Sequence, residues 1–388
     1  MKALRSFIDG IKPKFEKGGK YHFLHSTFDA FETFLYVPDT VTTKGAHVRD
    51  AIDLKRTMSV VVMALVPALL FGMWNVGFQH FLSIGTQVSF WEVFWFGFFK
   101  VLPIVVVSYV VGLGIEFVAA QIRGHEVNEG FLVTGMLIPL VMPADVPLWM
   151  VTLATAFAVI IGKEVFGGTG MNVFNPALLA RAFVFFAYPS YISGDKIWIA
   201  GLNKGEGIVD GFSGATPLAK AAAGERFSSM QVWDMFAGFI PGSIGETSTI
   251  AILLGAALLI ITGVGSWRIM VSVVAGGLCT GLLFNAVGAN AYMQLPAYCH
   301  LIMGGFAFGA VFMATDPVSA AQTNTAKWIY GFLIGVLAVI IRVVGGFPEG
   351  MMLAILFMNA FAPLIDYCVV QSHISRRLKR AAAAQKAA

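Results

Sequence analysis

The sequence has few charged residues and no cysteine or histidine pattern that would support a metal or redox centre. Only 12% of its 388 residues are Asp, Glu, Lys or Arg, too few to cover the exterior of a soluble protein of this size. Its cysteines, Cys279, Cys299 and Cys368, have no CxxC spacing, and its seven histidines form no HExxH motif. These absences exclude the common zinc, iron–sulfur and haem-attachment signatures. The net charge of +4 gives no indication of nucleic-acid binding.

Apolar residues make up 57% of the chain and include 34 phenylalanines, which predicts an all-α, polytopic membrane protein. Six apolar runs are long enough to cross about 30 Å of hydrocarbon, and four more are shorter or end at Gly and Pro clusters. The ten predicted crossings are 57–77, 98–122, 131–142, 148–161, 175–187, 250–264, 269–288, 301–314, 328–344 and 351–370.

The shorter crossings recur in a pattern that predicts an inverted repeat. The third and eighth crossings both end beside an Asp and a Pro, at Asp145 and Asp316, and "AVIIGKEVFGGTGM" is echoed by "AVIIRVVGGFPEGM" 180 residues later. Because each half has five crossings, the second half must lie upside down relative to the first. Paired, interrupted helices near the midplane are expected, as in small-solute channels and transporters.

The distribution of Lys and Arg predicts the orientation of the chain. Ten of these residues precede the first crossing, and "SRRLKR" follows the last, so both termini are expected in the cytoplasm. The long polar connection after the fifth crossing then lies outside. The predicted regions are a cytoplasmic segment 1–56, a first repeat 57–187, an outer loop 188–249, a second repeat 250–370 and a basic cytoplasmic tail 371–388.

The outer loop contains the stretch "DGFSGATPLAKAAAG", in which Thr216 has the sequence features of a helix N-cap. Pro217 suits the first helical position, "LAKAAA" favours a helix, and Gly224 suits its end, so a helix is expected over 217–223. A plain structural cap is one interpretation of Thr216. The other is a phosphate ester on its hydroxyl, since helix N-terminal N–H groups favour a phosphate.

"DGFSGATPLA" resembles the signal at which a flavin transferase attaches FMN, through its phosphate, to a threonine. The motifs "KEVFGGTGMNVFNPALLARAF", "IPGSIGE", "FMATDPVSA" and "FPEGMMLAILF" are similar to those of the B-type subunit of the bacterial sodium-translocating NADH:quinone oxidoreductases. The similarity extends over nearly the whole chain. The D-type subunit of the Rnf ferredoxin:NAD oxidoreductases shares the flavin signal, but the N-terminal segment with "FEKGGKYH" favours the first family.

This resemblance implies a subunit of a six-subunit complex of the bacterial inner membrane that passes electrons from NADH to quinone and exports sodium. It implies covalent FMN on Thr216, attached by a periplasmic flavin transferase, with Asp210, Ser213 and Gly214 in the same signal. A noncovalent riboflavin is expected within the membrane region. The subunit itself is not expected to bind NADH or to supply catalytic side chains.

Asparagines in "GMNVFNPA" are the expected riboflavin contacts. The side chains of Asn172 and Asn175 offer both donors and acceptors, which suits the edge of a flavin ring. Their alternative role is helix capping before Pro176, and the residues alone do not decide between the two.

The resemblance also implies quinone contacts at Gly112, Phe183 and Phe185, although phenylalanines on membrane helices usually face lipid or the core. Glu116, Asp316 and Asp366 are candidates for a sodium path, because carboxylates within membrane spans are costly. The alternative for Glu116 and Asp366 is a solvated position at a helix end. Lys163 and Arg181 suit ion pairing or topology as well as cofactor contact.

Two other classes of protein fit part of the sequence. The inverted repeat alone would suit a small-solute channel or transporter, and an assembly scaffold without a cofactor would also fit the composition. Neither class explains a flavin-attachment signal in the outer loop.

Overall fold

The computed structural model describes residues 2–16, 18–36, 41–48, 50–123, 130–202, 213–347 and 349–387. Within these ranges the chain is helical, with short connections and no strand. The helices are α1 (Lys2–Ile11), α2 (His25–Leu35), α3 (Leu54–Ile84), α4 (Phe90–Arg123), α5 (Phe131–Leu140), α6 (Leu148–Ile160), α7 (Pro176–Ala187), α8 (Pro217–Ala222), α9 (Ser229–Ala237), α10 (Thr249–Ile261), α11 (Trp267–Val287), α12 (Cys299–Ile302), α13 (Phe306–Phe308), α14 (Asn324–Val343) and α15 (Gly350–Ala387).

The helices agree with a polytopic membrane protein. Six helical segments in the described residues are long and apolar enough to cross a membrane, and α5, α7 and α10 are shorter apolar helices. Nine of the ten predicted crossings coincide with one of these nine helical segments. Whether the ten form two inverted five-helix repeats stays a prediction, as do the five predicted regions.

The eighth predicted crossing is broken into pieces. Residues 301–314 contain the end of α12, a turn, the short α13 and a π-helix over Gly309–Met313. Gly304 has a φ of +60°, which a residue with a side chain rarely adopts, so the chain turns here. The paired glycines at 304 and 305 explain why the apolar run does not form one helix.

Three helices extend well beyond the predicted crossings. The helix α3 continues to Ile84, α4 begins at Phe90, and α15 continues to Ala387, so the basic tail is helical. The extension of α3 contains Gln79 and His80, and that of α15 contains Lys and Arg, which lower the hydropathy but which a helix accepts.

Glycines allow the main helix pairs to approach closely. A Cβ on Gly97 of α4 would lie 1.7 Å from the carbonyl oxygen of Met73, and one on Gly77 of α3 would lie 2.0 Å from that of Val93. The pair α11 and α14 packs in the same way at Gly276. In lipid the hydrophobic effect does not drive helices together, so close packing at small residues supplies much of the attraction between them. The result is a bundle with a cavity near each end, which we call the Thr216 cavity and the Asn172 cavity.

Candidate functional site

Thr216 caps a short helix and lines a cavity. Its side chain accepts a hydrogen bond from the backbone N–H of Ala219 at 3.3 Å, and Pro217 opens α8. The helix ends at Ala222, one residue before the predicted end, and Gly224 has a φ of +86°. The hydroxyl is half-buried, so it is both held in place and open to the cavity. Asp210 lies outside the described residues.

The segment before Thr216 is fixed by close backbone contact. A Cβ on Gly214 would lie 2.2 Å from the carbonyl oxygen of Asp195. Only glycine therefore allows the backbone to approach Asp195 this closely. Ser213 accepts a hydrogen bond from the N–H of Ala215 at 3.3 Å. The loop that Gly214 contacts is itself anchored, because Asp145 accepts a hydrogen bond from the N–H of Gly201 at 2.8 Å.

The Thr216 cavity has a volume of about 230 Å³ and is bordered by α7, α8 and the loops around Ile240 and Gly304. Its wall is mixed in chemistry. Phe185, Trp198 and Ile240 supply apolar and aromatic surface, while Glu246 and Glu349 supply carboxylates. A flat apolar wall with a few polar groups is typical of a cofactor pocket.

A charge cluster built around the buried Arg181 borders this cavity. Arg181 of α7 forms a two-point ion pair with Glu349, through a 2.8 Å bond from Nε and a second contact from Nη2. Its Nη1 donates to the hydroxyl of Ser243 at 3.1 Å. The ring of Trp198 lies 6.0 Å from the guanidinium carbon. Because Arg181 is 1% exposed, this charge is fixed in position.

Glu246 and Arg342 complete the cluster. Burial raises the pKa of the Glu246 carboxyl to about 7; the positive charge of Arg181 lowers the pKa, Glu349 raises it, and a hydrogen bond from Ser243 lowers it. Arg342 donates to the carbonyl oxygens of His300 and Met303 at 2.6 and 3.0 Å. The carboxyl of Glu246 therefore changes its charge near neutral pH.

The Asn172 cavity, of about 120 Å³, lies near the other end of the bundle, where α3 begins. Four of the polar residues singled out from the sequence line it: Lys163, Asn172, Asn175 and Asp316. The amide oxygen of Asn175 caps α7 by accepting from the N–H groups of Ala177 and Leu178, at 3.0 and 3.3 Å. The capping interpretation therefore holds for Asn175, and the same side chain still faces the cavity.

Asn172 and Lys163 are held differently. The amide of Asn172 donates to the carbonyl oxygen of Phe174 at 2.9 Å. The ammonium of Lys163 forms a buried ion pair with Glu116, both side chains being at most 5% exposed. Glu116 is thus buried and paired, and the alternative of a solvated carboxylate at a helix end is wrong for it.

The other two acidic candidates accept hydrogen bonds from backbone and hydroxyl groups. Asp316 accepts from the hydroxyl of Ser319 at 2.5 Å and from its N–H at 3.2 Å. Asp366 accepts from the N–H groups of Gln322 and Thr323 at 2.7 and 2.8 Å, which joins α15 to the start of α14. In the described ranges no three His, Cys, Asp or Glu side chains group as metal ligands.

The three expected quinone contacts do not lie together. Gly112 of α4 is in contact with Phe131, the first residue of α5, near the Asn172 cavity. Phe183 stacks on Phe157 with ring centroids 4.5 Å apart, and Phe185 lines the Thr216 cavity. Gly112 and Phe185 therefore lie near different cavities, and the role of the three residues in quinone binding stays a prediction.

Replacing Gly112 with alanine is expected to destabilise the protein by about 1–3 kcal/mol, because overpacking a filled site forces its neighbours to move. The new Cβ would lie 1.8 Å from the ring of Phe131, which is fully buried. The measurement is thermal unfolding in detergent. Gly114→Ala, two residues along the same helix and in open space, should be neutral or stabilising by up to about 1 kcal/mol. Equal effects of the two variants would contradict the contact.

Comparison with known proteins assigns the chain to a family. A model described as the NQR2, RnfD, RnfE family matches residues 41–375. The chain belongs to the NQR2, RnfD, RnfE family. Its similar relatives include proteins named as the B-type subunit of Na(+)-translocating NADH-quinone reductase. The one from Chromohalobacter salexigens is 49% identical over 408 residues, which cover 98% of this chain and 97% of the relative. Those from Ectopseudomonas mendocina and Stutzerimonas stutzeri are each 50% identical over 408 residues, covering 97% of this chain and 99% of the relative.

Sequence reasoning did not single out Ser243, Glu246 or Glu349 as site residues in this member of the NQR2, RnfD, RnfE family. Ser243 and Glu246 stand in "IPGSIGE" and Glu349 in "FPEGM", two motifs used only for the resemblance. The sequence feature that could have indicated these three residues is their position as polar residues in Gly- and Pro-rich turns next to apolar helices. Arg181, the partner of Glu349, is 168 residues away from it, so no local pattern relates them.

Proposed function

We propose that this chain is the flavin-carrying membrane subunit of a sodium-translocating NADH:quinone oxidoreductase, in which electrons pass from NADH to quinone while sodium is exported. Support comes first from the relatives, which are named as a subunit of such a reductase and align over 97–98% of the chain. The observation that carries the flavin assignment is the position of Thr216, half-buried at a cavity with an aromatic wall.

Covalent FMN on Thr216 agrees with the residues around that cavity. Phe185 and Trp198 offer surfaces against which a flat ring can pack, and Ser243 adds a hydroxyl to the same cavity wall. Ser213 and Gly214 fix the backbone that presents the hydroxyl. When bound, FMN would supply one-electron chemistry, while the protein sets its position and electrostatics.

Riboflavin in the Asn172 cavity is the second part of the proposal. Asn172 and Asn175 line this cavity together with Thr134 and Thr169, a set of hydrogen-bonding groups that suits the edge of a flavin ring. The helix α7 joins the two cavities, with Asn175 at its N-cap and Phe185 near its end. Ten residues at 1.5 Å each separate these positions by about 15 Å, so we propose that electrons cross between the flavins along α7.

We further propose that the ten crossings form two inverted repeats in the bacterial inner membrane, with both termini in the cytoplasm and Thr216 outside. The basic N-terminal segment and "SRRLKR" support that orientation. Glu116, Asp316 and Asp366 remain candidates for the sodium path, and Gly112, Phe183 and Phe185 for quinone contact. The other subunits of the complex and a periplasmic flavin transferase are the proposed protein partners.

A Rnf-type subunit is the alternative within the family. The family match covers residues 41–375, whereas the relatives named after the quinone reductase align over nearly the full chain. Membranes containing the complex should therefore oxidise NADH with quinone at a rate that sodium stimulates. Coupling of ferredoxin to NAD without that stimulation would favour the Rnf alternative.

The direct test of flavin attachment uses the wild-type chain coexpressed with its flavin transferase. After denaturation and electrophoresis, the band of this protein should fluoresce under ultraviolet light, since a phosphoester bond survives unfolding. A dark band would contradict the proposal and favour a channel, a transporter or a scaffold.

A further inference from the structure

The net charge of the cluster beside the Thr216 cavity can change by one unit if one of its carboxylates is protonated. It contains two arginines, Arg181 and Arg342, and two glutamates, Glu246 and Glu349. With all four ionised, the formal charges sum to zero. If one carboxylate takes up a proton, the cluster becomes +1 without any change in packing.

Glu246 is the carboxylate that can do this. Glu349 is held in the two-point ion pair with Arg181, a charge-assisted contact that fixes its position. Glu246 instead lies beside Ser243, whose hydroxyl forms a hydrogen bond with its carboxyl. Burial raises the pKa of its carboxyl to about 7, so both forms are populated near neutral pH.

The carboxylate of Glu246 is also fixed in position. A Cβ on Gly305 would lie 2.5 Å from its Oε1, so the carboxylate packs directly on the glycine backbone. The neighbouring Gly304 contacts Leu218 of α8 closely as well, since a Cβ there would lie 2.4 Å from its side chain. The Gly304–Gly305 turn is therefore in contact with both the Glu246 carboxylate and α8, the helix that Thr216 caps.

Protons can reach Glu246 through the cavity. Glu246 lines the same cavity as Thr216, and the exposed Ser193 and Asp195 form part of its rim. The groups that face Glu246 or the cluster are Arg181 of α7, Arg342 of α14, Glu349 before α15 and Asp195 of the rim, with Tyr292 and His300 beside Arg342.

We propose that Glu246 is a proton-binding site whose carboxylate takes up a proton from outer water when a cofactor on Thr216 gains an electron, and releases it when the electron leaves. The inference rests on the proposed flavin on Thr216. The step forms one O–H bond at Glu246 and breaks one in hydronium, and oxidation of NADH in the proposed complex supplies the electron. An added negative charge in a buried cavity favours the protonated carboxyl, and the proton in turn favours the electron.

The test is a potentiometric titration of the covalently bound flavin in the complex, with wild type and Glu246→Gln compared over a range of pH. Glutamine removes the negative charge at every pH. Below about pH 6 wild-type Glu246 is already protonated, and the two midpoint potentials should coincide. Above about pH 8 the midpoint potential of the variant should be higher than that of wild type by about 59 mV. This difference corresponds to about a tenfold change in the equilibrium constant for one-electron reduction of the flavin.

Two further variants make the result specific. Glu225→Gln removes an exposed carboxylate of the same loop, and its potential should follow wild type at every pH because water screens the charge. Ser243→Ala keeps Glu246 but removes a hydrogen bond that lowers its pKa. In that variant the pH dependence attributable to Glu246 should move to higher pH, and this measurement stands even where Glu246→Gln fails to fold.

A redox-difference infrared spectrum gives an independent readout. Reduction of the wild-type complex should produce the C=O band of a protonated carboxyl group, and Glu246→Gln should lack it. A potential difference that is the same at all pH values, or a carboxyl band that persists in Glu246→Gln, would overturn the inference. A dark band on the denaturing gel would instead contradict the proposed flavin attachment, so the two failures are distinguishable.

Discussion

Thr216→Ala should remove all covalently bound flavin, so that the denatured band loses its fluorescence completely. Alanine has no hydroxyl to carry the phosphoester, and the hydroxyl of Thr216 is the one that the flanking Gly214 and Pro217 hold at the cavity. The lost N-cap costs only about 0.5–2 kcal/mol, so the protein should still insert. Fluorescence of the denatured band, divided by the amount of protein, is the measurement.

The matched control for this variant is Thr323→Ala. Thr323 caps α14 by accepting from the N–H of Ala326 at 3.3 Å, the same distance as in the cap at Thr216. This variant loses the same kind of cap at a different place, and its flavin fluorescence should equal that of wild type. Fluorescence that persists in Thr216→Ala would move the attachment to another residue. Fluorescence lost in both variants would indicate a general defect of folding.

Lys163→Met is expected to destabilise the protein by about 3–5 kcal/mol, because it leaves the carboxylate of Glu116 buried without its ammonium partner. Both side chains of this pair are at most 5% exposed. In thermal unfolding in detergent, the variant should unfold at a clearly lower temperature. The double variant Lys163→Met with Glu116→Gln removes both charges and should recover much of the loss.

A more exposed ion pair provides the comparison. Lys100 lies 3.9 Å from Asp145, with side chains 38% and 15% exposed, and Lys100→Met should cost only about 0–1 kcal/mol. A small effect of Lys163→Met, or a double variant no more stable than the single one, would show that the pair does not contribute in this way. A sodium-dependent loss of activity in Glu116→Gln without loss of stability would favour the ion-path role of that residue.

The sequence was sufficient to predict the features that depend on local composition. Hydropathy located nine of the ten apolar helices that it predicted, and the Thr-Pro pair with a following Gly located the cap at Thr216 and, within one residue, the end of α8. The Asn-Pro pair at Asn175 likewise gave the start of α7. Each of these depends on residues at most a few positions apart, which is the range over which propensity and capping act.

The charged pairs could not be predicted, because they join distant parts of the chain. Glu116 and Lys163 are 47 residues apart, and Arg181 and Glu349 are 168 apart. Hydropathy marks such residues as costly in a membrane but gives no partner for them. The positions of Gly112 and Phe185 near different cavities have the same cause, since only the packing of α4 and α7 decides where each residue lies.

The continuous helix α15 sets how far the end of the chain stands from the membrane. It has 38 residues, which at 1.5 Å each amount to about 57 Å, while a bilayer core is about 30 Å thick. Its last turns are therefore a projecting rod that carries Arg376, Arg377, Lys379 and Arg380 on its exposed surface. A fluorophore or affinity tag fused at this end would be held well clear of both cavities, which makes it a suitable fixed point for measuring distances to neighbouring subunits.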